Sequence, residues 1–178
     1  MKPRKNRNLI LIGYMGCGKS TIGIKSARAL DYRFVDTDAL IEEEEGCTIS
    51  ELFAAKGEEY FRTRETEMLR KLVKEPKGMM IASGGGLPMR EENAKLLKEL
   101  GTVIYLKCSV DALFGRLSGD TKRPLLTEGD LKEKIKTMLA IREPVYESVA
   151  DVVLETGGKS FYEIICSLEN IVKEKREM

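Results

Sequence analysis

The chain has 178 residues, 42% of them hydrophobic, which is enough for one well-buried core and short for two. Its 30 Lys and Arg against 29 Asp and Glu leave a net charge of +1, so no overall field attracts nucleic acid or an anionic membrane, and any anion has to be bound locally. Histidine is absent, and Cys17, Cys47, Cys108 and Cys166 include no CxxC pair, which excludes the usual zinc-ligand spacings.

In chain order, the leader carries Lys2, Arg4, Lys5 and Arg7, but the apolar run behind it, Leu9 to Ile12, stops at Gly13, far short of a signal-peptide core. No stretch reaches the roughly 18 apolar residues of a membrane span. The expectation is a cytoplasmic protein with free thiols. Leu9 to Ile12 itself reads as a strand buried on both faces of a parallel sheet, and a helical pattern follows from about Lys19 to Leu30. The alternation then repeats. Phe34-Val35 ends at Asp36, Met79 to Ala82 at Ser83-Gly84-Gly85-Gly86, Val103 to Leu106 at Lys107, and Val152 to Leu154 at Glu155. Five short strands separated by helical stretches indicate an α/β fold with a parallel sheet, one domain over residues 1–178. A charged helical insert, about 39–74, is punctuated by Gly46 and Gly57, and its length suggests a substrate-covering subdomain. Residues 118–130, with Gly119, Pro124 and Gly129, read as a mobile loop, or lid, between helices.

Gly13-Tyr14-Met15-Gly16-Cys17-Gly18-Lys19-Ser20 fits GxxxxGK followed by Ser or Thr, between a strand and a helix as the motif requires. Backbone N–H groups there curl around phosphate oxygens, Lys19 reaches the β/γ-phosphates, and the Ser20 hydroxyl can ligate Mg²⁺. Nucleotide binding follows; the phosphate acceptor does not, since switches, motors and kinases share the loop.

Other residues point to the acceptor. Asp36 and Asp38, if extended, face one side at the end of the second strand, suited to holding Mg²⁺ and orienting an acceptor hydroxyl; helix capping is the plain alternative. Arg62 lies in the charged insert, where pairing with Glu58, Glu59 or Glu65 is the ordinary reading. The run Gly84-Gly85-Gly86 permits close approach of backbone to a ligand, or simply makes a flexible turn. Arg123, before Pro124 on the loop, resembles a cis-acting finger for phosphoryl charge. Arg142 lies in or near the end of a helix, where a salt bridge or dipole contact is the simplest account, and Arg64 and Arg116 read equally plainly.

Taken together, GYMGCGKST at 13–21, DTD at 36–38, EEYFRTRE at 58–65, SGGG at 83–86, KRPLL at 122–126 and IREPVY at 141–146 resemble the shikimate kinases, in the same order and from Leu9 to about Ile171. The resemblance implies a fold like that of nucleoside monophosphate kinases, in the P-loop NTPase class, with ATP as co-substrate and Mg²⁺ as cofactor. It implies that Asp38 holds the shikimate hydroxyls and positions the 3-hydroxyl, that Arg62 and Arg142 clamp the carboxylate, and that Gly84, Gly85 and Gly86 approach the substrate by backbone. Lys19 and Arg123 would stabilise the transferring phosphoryl group, while Ser20 and Asp36 would serve the metal. Gly13, Gly16, Cys17, Gly18, Lys19, Ser20, Thr21, Arg116 and Arg123 would hold the nucleotide. A monomer acting on small molecules alone is expected. The rivals are a kinase for another acceptor, such as gluconate or a nucleoside monophosphate, and a non-catalytic ATP-responsive switch.

Overall fold

The computed structural model describes residues 7–118 and 130–177. Five parallel strands, β1 (Asn8–Ile12), β2 (Arg33–Asp36), β3 (Met79–Ala82), β4 (Gly101–Lys107) and β5 (Val152–Glu155), form one sheet in the order β2-β3-β1-β4-β5. The central β1 is buried at every position, which is why its sequence is an unbroken apolar run rather than an alternating one. The edge strands β2 and β5 carry exposed positions.

Helices α1 (Lys19–Leu30), α2 (Thr37–Glu45), α3 (Ile49–Lys74), α4 (Glu91–Leu100), α5 (Val110–Leu117), α6 (Leu131–Val149) and α7 (Phe161–Glu177) connect and cover the strands. The connection β1-α1-β2 runs one way across the sheet and every later one runs back, so right-handed crossovers put α1 on one face and α3, α4 and α6 on the other. The C-terminal α7 returns to pack against α1. The chain reverses direction beside β1, and such a switch point, beyond the carboxyl ends of the strands, is where open α/β sheets bind ligands.

Register decides what meets there. Leu11 and Asp36 both lie level with Ala82, so the loop after β1, the start of α2 and the glycine run after β3 leave the sheet together. Ser83 fastens the last to the first, its N–H and hydroxyl donating to the Leu11 carbonyl at 3.1 and 3.2 Å. The insert is the helix pair α2-α3, with Gly46 ending α2 and Gly57, at φ 82° and ψ 170°, breaking α3 into two segments.

At the opposite sheet edge, fully buried Asn8 donates to the Leu100 carbonyl at 3.0 Å and accepts from the Gly78 and Met79 amides at 2.9 and 3.0 Å. It ties the beginnings of β1, β3 and β4 together. Asn8→Ala takes this partner from the Gly78 and Met79 amides, at about 1–3 kcal/mol for each that stays dry, while the Leu100 carbonyl keeps its bond from Lys77 Nζ at 3.3 Å. The expected loss is about 2–4 kcal/mol, read by urea unfolding with an unchanged m value; a loss below about 0.5 kcal/mol, the scale of an inert substitution, would show that these bonds do not hold the edge.

Candidate active site

The loop from Gly13 to Gly18 opens α1 with its N-terminus facing a cleft of about 1370 Å³. Gly18, the residue before the helix, has φ 96°, a left-handed conformation that would strain any side chain bearing a Cβ. Met15, Gly16, Gly18, Lys19, Ser20 and Thr21 line the cleft. The Lys19 ammonium lies over the loop, donating to the carbonyls of Gly13 and Tyr14 at 2.7 and 3.0 Å. Gly13 and Cys17 lie behind this lining. The Cys17 thiol is buried and turned inward, 3.7 Å from Lys19 Nζ, so what Cys17 presents to the loop is its backbone. Arg116 donates from Nη1 to the Gly16 carbonyl at 3.2 Å and, with Thr156, Lys159 and Phe161, borders the nucleotide end.

Asp36 takes the plain reading, helix capping, and also meets the phosphate loop. One oxygen caps α2, accepting from the Asp38 and Ala39 amides at 3.0 and 3.3 Å, while the other accepts from the Ser20 hydroxyl at 2.8 Å. The extended geometry expected for Asp36 to Asp38 does not occur, because α2 begins at Thr37 and puts Asp38 in its first turn. Asp38 still faces the cleft. Burial, and next the nearby Asp36 carboxylate, raise its pKa to about 6 against the opposing pull of Lys19 and Arg62.

Arg62 donates to Glu58 from Nε and Nη2, at 3.2 and 2.9 Å, and from Nη1 to Glu65 at 2.8 Å. The pairing read from sequence is therefore present, and the guanidinium lines the cleft as well. Glu65 is fully buried, and desolvation raises its pKa to about 7 although Arg62 opposes the shift. Arg64 keeps its plain role, bonding Glu44 at 2.6 Å, Glu45 at 2.7 Å and also Glu67, which locks α2 to α3.

The glycine run lets these side chains converge. A Cβ on Gly84 would stand 2.8 Å from both Asp38 Oδ1 and Glu65 Oε1, one on Gly86 would stand 2.5–2.7 Å from the Arg62 guanidinium, and one on Gly85 would approach Arg142 Nη1 to 3.6 Å. The run is pinned at Gly84, whose amide donates to the Thr37 hydroxyl at 3.1 Å, and at Gly85, whose carbonyl accepts from Tyr146 at 2.6 Å. Arg142, one helical turn before Tyr146, lies inside α6 rather than at its end, 5.8 Å from the Tyr14 ring centre. Among the described residues no carboxylate forms a salt bridge with it, contrary to the plain reading. Arg123 falls outside the described residues.

The resulting cleft has a phosphate loop at one end and, at the other, two carboxylates and two guanidiniums gathered on a glycine run. A family model for shikimate kinase matches residues 15–173. The chain belongs to the shikimate kinase family. It is 41% identical over 172 residues to a shikimate kinase of Geobacter sulfurreducens, covering 97% of this chain and 94% of the relative, and 39% identical over 171 residues to that of Francisella tularensis subsp. novicida, covering 96% and 97%. Its fold matches a shikimate kinase from Acinetobacter baumannii in complex with shikimate, with TM-score 0.90, 34% identity and 96% of both chains covered. Membership makes the chain an ATP-dependent kinase. Sequence reading had missed Glu65, Thr37 and Tyr146 as parts of the site. Glu65 and Tyr146 fall within motifs that mark the family, and Thr37 is the middle residue of DTD, but only the fold shows what they hold.

Proposed function

We propose that this chain transfers the γ-phosphate of ATP to the 3-hydroxyl of shikimate, giving shikimate 3-phosphate and ADP. The observation that carries this reading is the placement of Asp38 between the phosphate loop and two guanidiniums, Arg62 and Arg142, over adjacent residues of the glycine run. An acceptor with a carboxylate at one side and hydroxyls at the other spans that distance. The guanidiniums take the carboxylate, Asp38 orients and deprotonates the hydroxyl, and Lys19 balances charge on the transferring group.

The adjacent Ser20 hydroxyl and Asp36 carboxylate, 2.8 Å apart, are a hard-oxygen pair that would hold Mg²⁺. When bound, the ion neutralises phosphate charge and aligns the phosphoryl group. The described lining of the cleft comes from a single chain, in keeping with a monomer, and no described helix is long and apolar enough to cross a membrane.

The test is ADP release by purified protein with Mg²⁺ and ATP, with shikimate, gluconate or AMP as acceptor. Shikimate-dependent ADP with a phosphorylated product supports the reading; turnover with only a control acceptor replaces the substrate. Arg62→Ala is expected to raise the shikimate KM roughly 30- to 150-fold, the equivalent of about 2–3 kcal/mol for charge-assisted bonds, with ATP KM unchanged. An unaltered shikimate KM removes Arg62 from the clamp.

A further inference from the structure

Glu65 is the charged residue of the cleft whose geometry is least explained by holding Arg62. Its side chain is fully buried, yet only Oε2 is bonded, to Arg62 Nη1 at 2.8 Å. Oε1 has no hydrogen-bond partner and points at the Gly84 backbone, where a Cβ would stand 2.8 Å from it and also 2.8 Å from Asp38 Oδ1, itself buried and without a partner. Two such buried, unpartnered oxygens crowding one glycine are costly while both side chains are charged, and protonation of one of them relieves that cost. We propose that Glu65 takes up a proton from solvent as an anionic acceptor docks on Arg62, coupling acceptor binding to proton uptake.

The electrostatics around Glu65 set the direction. Arg62 on its own helix and Arg90 at the start of α4 favour its charged form; burial and Asp38 on α2 disfavour it. Asp38 in turn faces Asp36, Glu42, Lys19 and Arg62, and the exposed Glu58 shares the Arg62 guanidinium. With the acceptor absent, Arg62 compensates Glu65 and its pKa lies at about 7. An incoming carboxylate takes up part of the Arg62 charge and adds a negative one, and each effect raises that pKa further. No bond other than O–H is made; solvent supplies the proton. Because the complex holds more protons than its parts, acceptor affinity falls as pH rises through the window from about 7 upward.

This inference rests on the proposed role of Arg62, and the experiment separates the two. Shikimate binding to the whole protein is titrated calorimetrically at pH 7.5 in buffers of different ionisation enthalpy, for wild type, Glu65→Gln and Arg62→Ala. The expected result is uptake of roughly half to three quarters of a proton per shikimate by wild type, with Kd rising about three- to tenfold per pH unit above neutrality. Glu65→Gln mimics the protonated form and is expected to bind with no uptake and a flat pH dependence. Wild-type binding without uptake, or uptake that persists in Glu65→Gln, overturns the inference while leaving the clamp intact. Should Glu65→Gln not fold, the wild-type stoichiometry alone decides. Unchanged Kd in Arg62→Ala overturns the clamp and the inference with it.

Discussion

Asp38→Asn is expected to lower kcat by about 10²- to 10⁴-fold, the range a positioned proton acceptor contributes, with ATP affinity close to wild type. The substitution keeps the shape of the side chain and its place in the first turn of α2, where the capping bonds come from Asp36 and do not involve the Asp38 carboxylate. What it removes is the negative charge beside the phosphate loop. Because that charge is held at a pKa of about 6, mainly by burial, the wild-type rate falls as pH drops through about 6. In the Asn variant that limb is absent. The stability sign runs the other way. A carboxyl whose folded pKa is raised stabilises the fold least when ionised, so stability it supplies at low pH is lost as pH rises from about 4 to about 6. Asp38→Asn therefore melts no lower than wild type at pH 8, which separates lost chemistry from lost folding. Turnover within about threefold of wild type, too little for a lost general base, would end the assigned role.

The sheet was legible because its central strands are buried on both faces: a run such as Leu9 to Ile12 has no amphipathic pattern that a helix could share. The phosphate loop was legible because its glycines and Lys19-Ser20 are contiguous. The acceptor half was harder to read, since its parts come from four separate stretches. For Asp36 and Asp38 the local sequence allows either alternate residues of a strand or a helix cap, and the N-cap bonds to Asp36 decide for the cap. Arg142 looked like an ordinary helix charge, and only the approach of α6 to Gly85 and Tyr14 gives it a site. Glu65 was hidden most completely. In a helix rich in Glu, Arg and Lys its burial depends on a missing side chain elsewhere, at Gly84, which no periodicity along α3 can report.

The same dependence makes Gly86→Ala a stringent test of how the acceptor site is built. Gly86 has φ −89° and ψ −9°, a conformation alanine adopts without strain, so the backbone does not object to the change. The three atoms nearest the added Cβ all belong to the Arg62 guanidinium, at 2.5–2.7 Å. The guanidinium is bonded on its far side to Glu58 and Glu65, so it recedes only by giving up the buried Glu65 bond. Gly86→Ala is thus expected to lower kcat/KM for shikimate roughly 10- to 100-fold, mostly through KM, about 1.4–2.7 kcal/mol. ATP parameters stay near wild type because the phosphate loop is untouched. If the methyl acts through Arg62, adding it to Arg62→Ala costs almost nothing further, since the group it displaces is gone. Additive losses in the double variant would mean instead that Gly86 meets the acceptor by its own backbone, and that the glycine run serves the substrate directly before it serves the arginine.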